Sequence, residues 1–117
     1  MAGEALYGAY AVADFNADAN DAARAYTKRY FERFNIYPDN FSSWAFDALN
    51  ILALAMNSAK SAEPEAVRKA ILAIKGYKGL EGTYDFDARG DGLHGYNVVK
   101  NDGGKLVFIK RVDFPAE

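Results

Sequence analysis

The stretch "SSWAFDALNILALAMNSA", residues 42 to 59, determines what the rest of the chain has to do. Between Trp44 and Met56 only Asp47 and Asn50 are polar, and the run is too long for a buried strand, so it predicts one long helix. A helix that is apolar on nearly every side usually lies inside a larger body. The rest of the 117-residue chain must therefore cover this helix, or a surface outside the chain must do so.

The flanking sequence predicts few elements that could serve as that cover. "ALYGAYAVA" indicates a strand, three segments have helical spacing, and "NDGG" between two alternating runs is typical of a hairpin. The predicted strands are at about 5–13, 83–86, 95–100 and 105–112, and the predicted helices are at about 21–34, 41–59 and 64–75. The fold class is thus a partial α/β arrangement, three helices with an N-terminal strand and a C-terminal antiparallel hairpin. One hairpin and a remote strand are too little to enclose the central helix.

The first predicted helix has a clear beginning, face and end. Asn and Asp residues precede it as candidate N-caps, and Asn35 tolerates the left-handed backbone that ends many helices. Its apolar face repeats every four residues, at Ala22, Tyr26, Tyr30 and Phe34.

The third predicted helix begins with Pro64 in its first turn, and Gly76 marks its predicted stop.

Composition excludes several functional classes. Fourteen basic and sixteen acidic residues give a net charge of -2 without a basic stripe, so we expect no nucleic-acid partner. No apolar run approaches the roughly 20 residues of a membrane-spanning helix. The chain has no Cys, which fits a reducing or an oxidising compartment equally well. Residues 1–14 show no basic segment followed by an apolar core, so we expect any export signal of a parent protein to lie elsewhere.

No group of residues predicts catalysis or a metal site. Asp47 in the apolar helix could act as an acid or base, but a structural carboxylate that accepts backbone N–H groups is the favoured interpretation. His94 is the only His and is expected in a surface loop. "DFDARGDGLHGY", residues 85–96, imitates a calcium loop, but Arg89 and Tyr96 stand where oxygen ligands are needed. We therefore interpret it as an Asp-Gly turn, and expect no cofactor.

The order of motifs resembles the C-terminal part of the type I periplasmic solute-binding proteins, the branched-chain amino-acid receptors of ABC transporters. The matching pieces, in order, are "GAY", "YTKRYFERFNIYP", "WAFDALNILALAM", "AVRKAILAIKGYKGLEGTYDFDARGD" and "YNVVKNDGGKLVFI". Phe46 stands where the family usually has Tyr. The resemblance covers almost all of this chain but only about the last third of a family member.

This resemblance implies a fragment of a two-lobed periplasmic-binding-protein type I fold, in which the solute lies in the cleft between lobes. It places a cleft-facing aromatic residue at the start of the long helix, so Trp44 and Phe41 are the candidate ligand-binding residues, with Tyr10 and Tyr7 less favoured. It further implies a non-enzymatic receptor for amino acids or small organic acids, a membrane permease as partner, and a periplasmic or extracytoplasmic location. The missing cover would come from a second copy, which we favour, or from a complementary segment. A self-associating scaffold without ligand binding is the alternative.

Overall fold

The computed structural model describes residues 3–115, with helices in the middle of the chain and strands towards both ends. The helices are α1 (Asp21–Phe34), α2 (Asn40–Ala59) and α3 (Pro64–Leu72), and the strands are β1 (Tyr10–Ala13), β2 (Tyr77–Lys78), β3 (Thr83–Tyr84), β4 (Gly95–Asp102) and β5 (Lys105–Asp113). The predicted fold class is confirmed, since three helices lie between an N-terminal strand and a C-terminal antiparallel hairpin.

The first strand is shorter than the predicted 5–13. Gly3–Leu6 forms a 3-10 turn instead, and β1 begins only at Tyr10. The amides of Tyr7 and Ala9 bond back to Glu4 and Leu6 at 3.0 and 3.1 Å, which withdraws them from any strand ladder. The small and aromatic residues of this segment suit both conformations, and local hydrogen bonds favour the turn.

The ends of α1 and α2 follow from their capping residues. Asn20 accepts the amide of Ala23 at 2.8 Å, and Asn35 ends α1 in the left-handed conformation with φ 55°, as its sequence predicts. Asp39 and Ser42 form a reciprocal capping box at the start of α2. Lys60 ends α2 with φ 50°, a conformation that costs a non-glycine residue about 1 kcal/mol.

The third helix ends at Leu72, three residues before the predicted 75. The amide of Ile74 bonds to Ile71 at 2.9 Å, and the carbonyl of Ile74 accepts the amide of Phe86 at 3.2 Å. The chain that follows forms a two-stranded ribbon, β2 with β3, so the predicted strand 83–86 is reduced to Thr83–Tyr84.

The remaining strands form one antiparallel sheet in the order β1-β4-β5. The N-terminal strand therefore pairs with the C-terminal hairpin, although the two are remote in sequence. Asn97 lies opposite Ala13 on one side and Arg111 on the other. Its side-chain Nδ2 donates to the main-chain oxygen of Asp14 at 2.7 Å, which fixes the exit of β1.

The fold has one small buried cluster and an elongated shape. Phe15, Ala23, Tyr26 and Leu80 pack together beside α1, with Ala17 and Tyr30 against them. The radius of gyration is 16.3 Å. A compact domain of this length would have about 13 Å. The described residues thus enclose little volume for their number.

The two opposite sides of α2 differ in exposure. We call Ser43, Asp47, Ile51 and Ala55 the inner face, and all four are buried. We call Ala45, Leu49, Leu52 and Met56 the outer face, where the three large side chains are 67%, 41% and 38% exposed. The described part of the chain therefore covers one side of this apolar helix and leaves the other side open.

Candidate functional site

A cavity of about 710 Å³ lies between α2, the end of α3 and the segment from β3 to β4. This volume is within the range of small-molecule sites in proteins. Ile51, Leu52 and Ile71 form its aliphatic wall. Its aromatic lining consists of Trp44, Tyr84, Phe86, His94, Tyr96 and Phe114. Such a lining suits an organic ligand with an apolar body.

Trp44 lies on this cavity because the start of α2 is held in place. Asp39 accepts the amide of Ser42 at 2.9 Å, and the hydroxyl oxygen of Ser42 accepts the amide of Asp39 at 2.9 Å. The Trp44 ring meets Phe41 edge to face at 5.2 Å between centroids. Trp44 is 41% exposed, so its indole is available to a ligand.

The structure separates the other three aromatic residues named from the sequence. Phe41 is 72% exposed and lines a smaller neighbouring concavity with Phe15 and Pro38. Tyr7 and Tyr10 are 50% and 64% exposed, and neither lines the cavity beside Trp44. Trp44 and Phe41 thus touch each other, whereas the two tyrosines lie at and before β1, away from this cavity.

A buried polar cluster beside the cavity joins α2 to the turn between β2 and β3. Asp47 is 1% exposed, and its Oδ2 accepts the amide of Leu80 at 2.8 Å and that of Glu81 at 3.4 Å. The hydroxyl of Tyr84 lies 3.3 Å from the same oxygen. Asp47 is therefore a structural residue, as favoured, but it binds amides of a distant turn rather than those of its own helix.

Gly79 is required for this contact. A Cβ at that position would lie 2.5 Å from Asp47 Oδ2 and 2.6 Å from the Tyr84 ring. Only glycine allows the turn to approach α2 so closely. The stretch "GYKGLEG", residues 76–82, consequently serves to dock the β2–β3 ribbon on α2.

Glu81 is the second buried carboxyl group of the cluster, 3% exposed, and it lines the cavity. Tyr84 donates its hydroxyl to Glu81 Oε2 at 3.0 Å, and the Ser43 hydroxyl lies 3.2 Å from Oε1. Burial raises the pKa of Glu81 from 4.5 to about 7; the hydrogen bonds from Tyr84 and Ser43 act against this rise, and the charge of Asp47 adds to it. Burial also raises the pKa of Asp47, and the hydrogen bonds from its amide donors oppose this rise. Near neutral pH the cluster therefore carries a proton that an exposed pair of acids would have lost.

The Asp-rich turn before β4 uses its carboxylate to bind its own backbone. Asp87 Oδ1 accepts the amides of Arg89 and Asp91, both at 2.9 Å. This is the Asp-Gly turn that the sequence favoured over a calcium loop. Among residues 3–115 no group of three or more acidic or His side chains is placed to hold a metal ion.

Two residues of the cavity were missed or misplaced by sequence reasoning. Glu81 lies in a glycine-rich turn, and nothing local indicates that it is buried. His94 was expected on the surface, yet it lines the cavity, and its Nε2 lies 3.0 Å from the main-chain oxygen of Asp85. Its position between the Asp-rich turn and β4 gave no signal for this packing.

The fold agrees with what comparison with known proteins shows. The family model described as periplasmic binding protein matches residues 1–105. This chain therefore belongs to the periplasmic binding protein family.

Solved structures with the same fold include receptors for different solutes. A leucine-binding protein from Thermotoga maritima aligns with a TM-score of 0.81 at 23% identity, over 95% of this chain and 32% of its own. A solute-binding protein from R. palustris in complex with benzoate aligns at 0.77 and 22% identity, over 94% and 31%. A branched-chain amino-acid receptor from Streptococcus pneumoniae in complex with isoleucine aligns at 0.75 and 20% identity, over 89% and 30%. This chain thus spans about a third of the length of the structures that it matches.

The described helices were also compared with the requirements of a bilayer. In residues 3–115 none of them combines the length and the apolar character needed to cross a membrane.

Proposed function

We propose that this chain is the C-terminal part of an ABC-transporter receptor for amino acids or related small organic acids. Membership of the periplasmic binding protein family over residues 1–105 is the observation that carries the proposal. The aromatic cavity beside α2 is consistent with it, since apolar pockets with few polar groups are typical of small-molecule sites.

In this proposal Trp44 contacts the apolar part of the solute. Phe41 supports it from the side, given the edge-to-face contact of the two rings. Tyr10 and Tyr7 take part only if the parent protein brings β1 close to the solute. Binding proceeds by closure of two lobes, and the closed surface is presented to the membrane permease. The parent protein works in the periplasm or an equivalent extracytoplasmic space.

The test is a calorimetric titration of the folded chain with leucine, isoleucine and benzoate. We expect at least one of them to bind, and Trp44→Ala to weaken that binding about tenfold or more, since a buried aromatic contact contributes over 1 kcal/mol. Phe34→Ala is the matched control, because Phe34 is an exposed ring at the far end of α1. The proposal fails if folded protein binds none of these solutes, or if both variants lose affinity equally.

A second candidate function is self-association without a solute, and the outer face of α2 favours it. Leu49, Leu52 and Met56 present a continuous apolar strip to solvent, which stable monomers rarely leave uncovered. The cover could be a second copy of the chain, which we favour, or a complementary segment of the parent protein.

Light scattering at low micromolar concentration tests this alternative. We expect a dimer for the chain alone, and a monomer for Leu49→Lys, which places a charge in the centre of the strip. Lys60→Glu changes charge at the end of the same helix and serves as control. If the unmutated chain is monomeric at this concentration, self-association is refuted.

A further inference from the structure

We propose that the cavity beside α2 takes an aromatic acid, a carboxylate that carries a planar ring, in preference to an aliphatic acid of similar size. The inference deepens the proposed function and rests on it, because it names one solute class among the amino acids and small organic acids of that proposal. It also assigns the selection to Phe86, Tyr96 and Phe114, three rings that line the cavity with Trp44.

The composition of the lining is the first observation. Six of the lining residues carry a ring, counting the imidazole: Trp44, Tyr84, Phe86, His94, Tyr96 and Phe114. Aromatic pairs in offset or edge-to-face geometry contribute about 0.5–1.5 kcal/mol beyond the area that they bury. An aliphatic group in the same place gains only the contribution of its buried area. A solute with a ring is therefore favoured.

The arrangement of the rings is the second observation. Phe114 meets His94 edge to face at 6.2 Å between centroids, and Tyr96 at 6.1 Å with 40° between the planes. Tyr84 and Phe86 stack at 6.1 Å, with 23° between their planes. These two groups present both faces and edges of aromatic rings to the cavity, which are the surfaces that a further ring contacts.

The position of the Phe86 ring is the third observation. A Cβ at residue 92 would lie 2.7 Å from this ring, so a residue larger than Gly92 would displace it. The backbone of Phe86 is held as well, because its amide donates to the Ile74 carbonyl at 3.2 Å. The ring is thus in place before any solute arrives, which lowers the entropy cost of binding.

The carboxylate of the solute sets its orientation. Glu81 and Asp91 also line the cavity, so the ring enters first and the carboxylate stays at the mouth, where it keeps its hydration. Burial raises the pKa of Glu81 to about 7, so this carboxyl group is partly protonated near neutral pH and repels the solute less than an ionised one. This chain spans about a third of the length of the structures that it matches, and we assign to it only the apolar end of the solute.

Benzoate and cyclohexanecarboxylate are the matched probes, since both are carboxylates on a six-membered ring and only one is aromatic. Each is titrated into the folded chain by calorimetry at neutral pH, beside leucine and isoleucine. Cyclohexanecarboxylate has the larger apolar surface, so burial alone would make it bind at least as tightly. We expect benzoate to bind about threefold or more tightly instead, because of the ring contacts.

Phe114→Leu tests whether the rings cause this preference. It removes the ring that contacts both His94 and Tyr96, at a half-exposed position on which folding depends little. We expect the preference for benzoate to fall below about twofold. Gly92→Ala, which crowds the Phe86 ring, should reduce the preference in the same direction.

Phe31→Leu is the matched control. Phe31 is an exposed ring that stacks on Tyr37 at 4.7 Å and does not line this cavity, so the preference should remain. Equal or tighter binding of cyclohexanecarboxylate overturns the inference, as does an equal loss of preference in the control and in Phe114→Leu. If leucine or isoleucine binds and benzoate does not, the proposed function stands and this inference fails. If the folded chain binds none of the four acids, both fail.

Discussion

The two faces of α2 reverse the usual order of a surface helix. The inner face buries Ser43 and Asp47, which are polar, together with Ile51 and Ala55. The outer face exposes Leu49, Leu52 and Met56. Amphipathic helices normally bury the apolar side. The difference shows that the inner face is specialised to bind the β2–β3 ribbon through hydrogen bonds, while the outer face is suited to an apolar surface outside the described residues.

Removing the carboxylate of the inner face should have the largest effect. Asp47→Ala leaves the buried amides of Leu80 and Glu81 without their acceptor, whereas the Tyr84 hydroxyl keeps its bond to Glu81. Each buried donor left unpaired costs about 1–3 kcal/mol, so we expect a loss of about 4 kcal/mol in the free energy of unfolding. Urea denaturation measures it, and Asp47→Asn, which retains one acceptor oxygen, should lose less than half as much. Equal losses would show that hydrogen bonding is not what joins the two elements.

The pH dependence of stability tests the turn between β2 and β3 that packs on the inner face, where Glu81 lies. Because the pKa of Glu81 rises from 4.5 to about 7 on folding, the unfolded chain binds fewer protons than the folded chain between these pH values. This contribution is complete below pH 4.5 and is lost as pH rises to about 7. It amounts to about 3 kcal/mol at most. Glu81→Gln should flatten the profile in this window. An unmutated chain whose stability rises with pH in the same window would contradict the assignment.

A pair of aliphatic truncations compares the two faces directly. Ile51 is 6% exposed and Leu49 is 67% exposed. Ile51→Ala should destabilise the chain by about 2–3 kcal/mol, because it opens space in a packed contact. Leu49→Ala in the monomer should cost less than about 0.5 kcal/mol. Thermal unfolding at a concentration below self-association measures both, and similar values would mean that the outer face is covered after all.

The smallest expected effect is at the C-terminal end of α2. Lys60 ends α2 with φ 50°. Lys60→Gly should stabilise the chain by about 0.5–1 kcal/mol, because glycine adopts this conformation without strain. A chemical denaturation midpoint that falls instead would show that the Lys60 side chain contributes more than its backbone strain costs.

Local signals were sufficient for most of the helix ends. Asn20, Asn35 and Pro64 are capping or first-turn residues whose effect depends only on near neighbours, so the beginning and end of α1 and the start of α3 could be predicted. The helical length of α2 followed from its unbroken apolar run. The incomplete cover of that helix also followed, because the chain has too few other apolar faces.

Long-range pairing could not be predicted in the same way. Asp47 and Leu80 are 33 residues apart, and neither shows locally that the other is its partner. The raised pKa of Glu81 depends on this pairing, since the docked ribbon is what buries the carboxyl group. The end of α3 at Leu72 also lies before Gly76, the stop that the sequence predicted. The family resemblance suggested Trp44 but gave no reason to examine Glu81 or His94.

The elongation of the chain bears on how its mass should be measured. The principal extents are 51 × 36 × 25 Å, so the longest axis is about twice the shortest. A body of this shape experiences more friction than a sphere of equal mass. Gel filtration would therefore overestimate the mass of a monomer, and tumbling times from NMR would be biased in the same sense. Scattering intensity, which depends on mass and not on drag, is the measurement that distinguishes one copy from two.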